Sequence, residues 1–444
     1  MRKTFKMAAA LGLVAMTAVP AMAASVDMAG FYRAKGYVTN FFNSGAGDVL
    51  SGAAVAQKDA PTASYVDQRW RGKITVGDET VKAVTHLEIN GIWGQKSATA
   101  NADLSGDGTV IAVKDLYLWF KAADPIDVTV GLQSMSDPYQ GFFMGAADVA
   151  GVTTNIKINE QVGLKLGYLV PFVNNIVKDE SNTVYLAEAA IAPTKDIKVG
   201  ANLYFWRDGG ANVGGPSTAA GLAKLYMPGV NFAVNAGPAQ ISGFVLGQFG
   251  DRKFDNAAVA KTKFSGYAAD VRGDVAAGPA KVFVEALYVT GDKSSSADKF
   301  EGFRVLDDIH HGAGNSTFNR NDMVILTPAA DSIGTAGALT YDLSNDGKGA
   351  LHVAAGAKMD VAPKLNVKVG AGYLASAKER VAGGKKDMGT ELNLMVNYNL
   401  AKGLDVSGTA AYAFLGKYFT DLTTGQTPDA DDPYALIAKV NYAY

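Results

Sequence analysis

The sequence predicts an all-β chain: a transmembrane, antiparallel, up-and-down β-barrel of 18 strands, with 16 the alternative. Three observations predict it. Apolar and polar residues alternate with period two along segments of about ten residues, the length at which a tilted strand crosses a bilayer. Short turn signals alternate with longer polar connections throughout the chain. No segment beyond the N-terminal leader is a run of apolar residues long enough for a spanning helix.

Composition narrows the classes further. The 444 residues include 41 Lys and Arg, 43 Asp and Glu, four His, 50 Gly, 14 Pro and no Cys. Such balanced charge excludes a nucleic-acid binder, which needs a basic excess. The absence of Cys excludes a disulfide framework, a thiolate zinc site and a Cys nucleophile. With 48% hydrophobic residues the chain reads as neither disordered nor a helical membrane bundle.

The elements follow in chain order. Arg2, Lys3 and Lys6 precede the apolar run from Ala8 to Val19, and Ala21-Met22-Ala23 offers a small-residue cleavage site. Residues 1–23 therefore read as a cleaved export signal, leaving 24–444 as one barrel domain. The first strand carries Arg33 and Lys35. In the second, Val66, Trp70, Ile74 and Val76 share one face while Asp67, Arg69, Arg71, Lys73 and Thr75 share the other. The third sets Lys82, His86 and Glu88 against Val81, Ala83, Leu87 and Ile89. The same alternation marks Ile197 to Trp206, Leu365 to Leu374 and Met388 to Tyr398. The segments around 149–170 and from Tyr226 to Ala236 are the least regular, and they separate 18 strands from 16. The last segment, Tyr434 to Tyr444, ends on an aromatic and is similar to the terminal strand read by the outer-membrane barrel assembly machinery.

Short turns are marked at Gly77-Asp78-Glu79, Ala123-Asp124-Pro125, Asn159-Glu160, 192–196, Gly237-Pro238, Gly278-Pro279, Ala362-Pro363-Lys364 and 400–403. Longer stretches lie at 41–62, 91–109, 134–148, 171–182, 207–222, 251–262, 291–349, 376–387 and 415–433. A membrane barrel keeps its short turns at one end and its long loops at the other, where a soluble sandwich has no reason to. Segment 291–349 reads as a long external loop.

Catalytic and metal motifs are weak. His310-His311 point opposite ways in an extended chain and lack a third ligand at a useful spacing. Asn101, Asp103 and Ser105 imitate the start of a calcium loop, but Ala112 stands where a bidentate Glu belongs. Asp429, Asp431 and Asp432 read as a solvated acidic loop that could share divalent ions with lipopolysaccharide. No G-x-S-x-G, Walker loop or H-E-x-x-H occurs. The chain is therefore read as a non-enzyme without a cofactor.

The charged strand faces carry the positive signal. Burying Arg69, Arg71 and Lys73 against lipid would cost about 2–4 kcal/mol each near the midplane, so they face the interior. Lys165, Lys198, Asp270, Arg272, Asp274, Lys281, Glu285, Lys358, Glu391 and Asp405 take inward positions elsewhere. So many charges cannot be desolvated together, and the interior must hold water. This pattern predicts a channel.

The run Asp67-Gln-Arg-Trp-Arg71, then Lys82 to Gly94, Val113 to Phe120, Asp127 to Gln133 and Ile158 to Leu166 resembles the early strands of outer-membrane homotrimeric porins of Desulfovibrio-type bacteria. The likeness covers about residues 65–170 and weakens towards Gly389-Thr-Glu391 and Gly416 to Phe419. The sequence departs from that pattern at Val170 to Asn175 and in the length of 291–349. The resemblance implies a passive channel in the outer membrane for small hydrophilic solutes and ions, surrounded by lipid and lipopolysaccharide. It implies a homotrimer, with Val66, Trp70 and Ile74 near the contact. It also implies that 134–148 folds inward as a constriction loop, bringing Asp137 and Asp148 towards Arg69, Arg71 and Lys73. The rivals are a substrate-specific channel on the same fold, a structural or adhesive barrel with a plugged lumen, and a sheath around a periplasmic electron carrier.

Overall fold

The computed structural model describes residues 25–40, 59, 62–94, 110–145, 147–175, 180–209, 221–256, 258–293, 298–306, 318, 320, 322–327, 339, 343–345, 347–380, 382–420 and 430–444. The leader, His310-His311, the 101–109 segment and Asp429 lie outside them.

The first strands are β1 (Ser25–Thr39), β2 (Ala63–Gly77), β3 (Val81–Ile92), β4 (Val110–Ala123), β5 (Ile126–Met135) and β6 (Ala147–Lys157). Then come β7 (Val162–Asn175), β8 (Glu180–Thr194), β9 (Ile197–Asp208), β10 (Gly221–Ala236), β11 (Ala239–Phe254), β12 (Thr262–Ala277) and β13 (Ala280–Val289). A two-residue β14 (Lys299–Phe300) is followed by β15 (Ala350–Ala362), β16 (Leu365–Ser376), β17 (Asp387–Ala401), β18 (Leu404–Leu415) and β19 (Tyr434–Ala443). Among the described residues one short helix, α1 (Lys417–Thr420), sits in the last long connection.

Every strand except β14 pairs antiparallel with its sequence neighbours in the wall, and β1 pairs with both β2 and β19. The wall is a closed barrel of 18 strands. The irregular segments supply β6, β7 and β10, so the 16-strand alternative falls. Closure matters physically because lipid offers no partner for an open strand edge. Gly30 and Tyr444 complete the seam, each N–H donating to the other's carbonyl at 3.0 Å.

The eight short turns lie at one end with both described termini. Side-chain oxygens build several of them. Asp78 Oδ1 accepts the N–H of Thr80 at 2.7 Å and of Val81 at 3.0 Å. Asn159 Oδ1 does the same for Gln161 and Val162, both at 2.8 Å. Gly237 and Gly278 close two others in the left-handed region, at φ 63° and 61°, where a Cβ would be strained.

Outward positions are apolar. Val245, Val284, Leu203, Leu392 and Leu436 all point away from the barrel. An aromatic row runs over the outside of neighbouring strands: Tyr168 to Tyr185 at 5.1 Å, on to Phe205 at 5.9 Å, to Tyr226 at 4.9 Å and to Phe249 at 5.9 Å. Such rings suit the boundary between hydrocarbon and headgroups.

Strand length decides where loops enter the barrel. β5 and β13 have 10 residues each, whereas β10, β11 and β12 have 16. The described parts of the connections after these short strands leave the wall part-way up and pack inside the barrel. Above Ala268 the edge of β12 is left by β13 and taken by β14, through Lys263 opposite Lys299 and Phe264 opposite Phe300.

Candidate functional site: the charged interior wall

Cross-strand register assembles the basic residues into one patch. Arg33 of β1 stands opposite Arg69 of β2, and Lys35 stands opposite both Asp67 of β2 and Lys439 of β19. Arg71 and Lys73 continue the row towards the turn end. Arg33 is 9% and Lys35 2% exposed, so these cations are largely withdrawn from water, with Lys35 Nζ 5.3 Å from the Tyr37 ring centre. Like charges directly opposed destabilise a strand pair. The neighbouring carboxylates offset them.

Glu88 on β3 is the central carboxylate. It pairs with Arg71, lies 3.4 Å from Arg69 Nε and accepts Asn90 Nδ2 at 2.5 Å. The next carboxylate is Asp115 on β4, which sequence reasoning passed over. Its Oδ2 lies 3.1 Å from His86 Nδ1 and 3.9 Å from Lys73 Nζ, while its Oδ1 accepts the Ser134 N–H at 2.8 Å. A β-bulge brings it there: His86 pairs with Asp115 but Leu87 with Val113, leaving Lys114 as the extra residue. The slip is legible as Val113-Lys-Asp-Leu116, where two polar residues separate apolar ones that otherwise alternate. Lys114 then pairs with Asp148 at the start of β6.

Three expected members stand differently. Lys82 lies at the turn end of β3 with its ammonium 5.1 Å from the Trp119 ring centre. Asp148 meets Lys114 and has Arg71 within electrostatic reach. Asp137 supplies no counter-charge to the ladder. Its Oδ1 accepts Tyr139 and Gly141 N–H at 2.8 and 3.0 Å, and its Oδ2 accepts Phe143 and Met144 N–H at 2.6 and 2.7 Å. Burial pushes this carboxyl up to about 6, the four N–H donors pulling the other way. Asp137 staples its own loop, and the carboxylates that pair with Arg69, Arg71 and Lys73 are Glu88 and Asp115 on the adjoining strands β3 and β4. Sequence spacing could not show this, because the four donors are backbone.

That loop, 136–145, lies inside the barrel. Phe142 packs 5.5 Å from Phe244 and 5.4 Å from Phe303; Phe143 packs 5.6 Å from Tyr204 and 5.7 Å from Trp206. The described part of 291–349 turns inward beside it, and Leu306 N–H donates to Phe143 O at 3.0 Å. Arg304, buried against Trp206 at 4.8 Å, reaches Asp208 at 3.3 Å, which also holds Arg252 at 3.1 Å. Further along, Arg320 Nε lies 2.9 Å from Asp270 Oδ1. Glu391 accepts the N–H groups of Val324, Ile325 and Leu326 at 2.7, 2.8 and 2.9 Å. These contacts place an aromatic core against β5–β13. A second apolar cluster packs Val324, Ile325, Leu326, Tyr418 and Phe419 against Tyr37 of β1 and Ala435 and Ile437 of β19, while Arg69, Arg71 and Lys73 of β2, nearer the turn end, stay partly exposed.

Asp432 of the last loop also serves structure, accepting Leu415 N–H at 2.8 Å and Tyr412 Oη at 3.1 Å. Among the described residues no group of three or more His, Asp or Glu is placed to hold a metal ion.

No protein-family model matches the sequence, and no curated protein matches it. The fold is similar to solved outer-membrane porins. OccAB4 of Acinetobacter baumannii aligns with TM-score 0.55 at 10% identity, over 96% of this chain and 100% of that one. OccK8 (OprE) of Pseudomonas aeruginosa aligns with TM-score 0.57 at 11% identity, over 95% and 98%. OpdL of the same organism aligns with TM-score 0.52 at 14% identity, again over 95% and 98%. At these identities the likeness is one of fold: a porin-like, closed antiparallel β-barrel.

Proposed function

We propose that this protein is an outer-membrane porin that passes small hydrophilic solutes and ions by diffusion, favouring anions at its narrow part. One observation carries the reading: a closed barrel, apolar outside, whose interior wall sets Arg69, Arg71 and Lys73 in a row on one strand, partly exposed at 24%, 29% and 42%. Cations in a confined, low-dielectric passage raise the local anion concentration and order water across the opening. Asp148 and Glu88 belong to the same wall and temper its field.

Export by cleavage after residue 23, a Desulfovibrio-type porin lineage, a homotrimer with Trp70 near its contact, contact with lipopolysaccharide and recognition of the C-terminal strand by the assembly machinery all belong to this proposal. The outward aromatic row and the seam strand ending in Tyr442 and Tyr444 support it. Planar-bilayer recording of the purified protein tests it. Discrete conductance steps with an anion-biased reversal potential are expected, and a bilayer that stays silent would reject the channel.

A second reading, a substrate-specific channel, is favoured by the two inward segments stitched together at Leu306 and Phe143. Saturable flux for one solute class distinguishes it from general diffusion.

A further inference from the structure

The lumen holds a second polar feature away from the basic wall. A cavity of about 640 Å³ opens at the turn end between β5 and β10, roofed by Pro138 of the inward loop. Its hollow comes from one cross-strand row of small residues, in which Gly163, Ala190 and Gly200 are successive partners on β7, β8 and β9. A side chain at Gly163 would meet nothing nearer than Ile156 O at 4.0 Å, so the space is real. At the next strand the row ends on Asn231, whose amide would stand 2.5 Å from a Cβ at Gly200.

Charges ring this hollow. The row above reads Asn155, Lys165 and Glu188, with Lys165 Nζ 3.8 Å from Glu188 Oε2 and Tyr204 Oη donating to Glu188 Oε1 at 2.6 Å. At one side stands Asp127 of β5; at the other stands Lys198 of β9. Four charges of the lining, Asp127, Lys157 (opposite Gly163), Glu160 and Lys198, have no ion-pair or hydrogen-bond partner from their side chains among the described residues. The lining contains no aromatic ring, so it offers no stacking platform for a sugar.

Magnitudes choose the ligand. Asp127 and Lys198 lie four strands apart, about 19 Å along the wall at the usual strand spacing and less across its concave side. A single amino acid cannot reach both. An extended tetrapeptide spans about 14 Å, and a cavity of this size lies within the usual range for small ligands. We infer that this cavity is a binding site for short zwitterionic peptides, with Asp127 taking the terminal ammonium and Lys198 the terminal carboxylate. The peptide backbone lies over the Gly163–Ala190–Gly200 hollow, within reach of the Asn155 and Asn231 amides. The inference deepens the channel reading by naming a solute class for the lumen.

Calorimetric titration of the full-length protein in detergent with tetraglycine tests it, alongside bilayer conductance of the same preparation. Saturable binding is expected, at least tenfold weaker for glycine and for tetraglycine blocked at both ends. Asp127→Asn and Lys198→Gln should each weaken it about fivefold or more, consistent with loss of one charge-assisted contact, and Gly163→Val should abolish it by filling the hollow. Conducting barrels that bind no tetraglycine, or that bind it equally well in these variants, overturn the inference while leaving the channel intact. Binding by barrels that do not conduct overturns the channel reading and leaves the site standing.

Discussion

Arg33 and Arg69 stand directly opposite one another on adjoining strands, two guanidinium groups where cross-strand pairing favours opposite charges. Glu88, 3.4 Å from Arg69 and paired with Arg71, holds the arrangement together from the third strand. Arg69 and Arg71, 24% and 29% exposed beside the buried Glu88, leave a positive remainder on this part of the wall, and a diffusing anion is the natural complement.

Replacing Arg69 and Arg71 with Glu should reverse that remainder while the barrel still assembles, since both positions face the interior. The reversal potential across a salt gradient is expected to move towards cations, most at low ionic strength where screening is weakest. Unchanged selectivity at normal conductance would place the ladder away from the narrowest point.

Asp137→Ala removes the acceptor of four backbone N–H groups inside the barrel. Hydrogen bonds to a charged acceptor contribute about 1.5–3 kcal/mol each, so the 136–145 loop should lose its fixed conformation. A larger and noisier single-channel conductance is the expected outcome. Asp137→Asn, which keeps one accepting oxygen, should fall between the two.

Arg304→Ala withdraws one of two guanidinium groups from the buried Asp208. Breaking such a pair costs about 3–5 kcal/mol. The cost should appear as a lower thermal transition of the detergent-solubilised barrel, with Lys299→Ala, an exposed partner of Glu301, as the near-neutral control.

The chain has no Cys, so single cysteines report topology cleanly. Lys195→Cys in a short turn and Ala382→Cys in a long loop lie at opposite ends of the barrel. In intact cells a membrane-impermeant maleimide should label only Ala382→Cys. Labelling of Lys195→Cys alone would invert the assigned orientation.

The wall was legible in the sequence because period-two alternation is a local property. Val66, Trp70 and Ile74 against Arg69, Arg71 and Lys73 settle which face meets lipid, since the alternative would bury cations in hydrocarbon. Turn chemistry is local too, as Asp78 and Asn159 demonstrate by binding N–H groups two and three residues on. Those two signals determine the alternation of turns and loops and the inward face of the basic ladder, and they narrow the strand count to 18 or 16, between which the pairing of β6, β7 and β10 decides. The contents of the lumen depend on contacts between residues far apart in the chain. Glu391 meets Val324, Ile325 and Leu326, Arg304 meets Asp208, and Phe142 meets Phe303. None of these partnerships has a period or a spacing that reveals it. Asp137 is the sharpest case: as a loop carboxylate it reads as a charge offered to the pore, yet backbone N–H groups of its own fold claim both oxygens. Alternation along each strand thus determined the barrel and the side of it that is charged. Only the tertiary structure decided how much of the lumen stays open, because burial of aromatic rings and buried ion pairs depends on which loops the closed wall brings together.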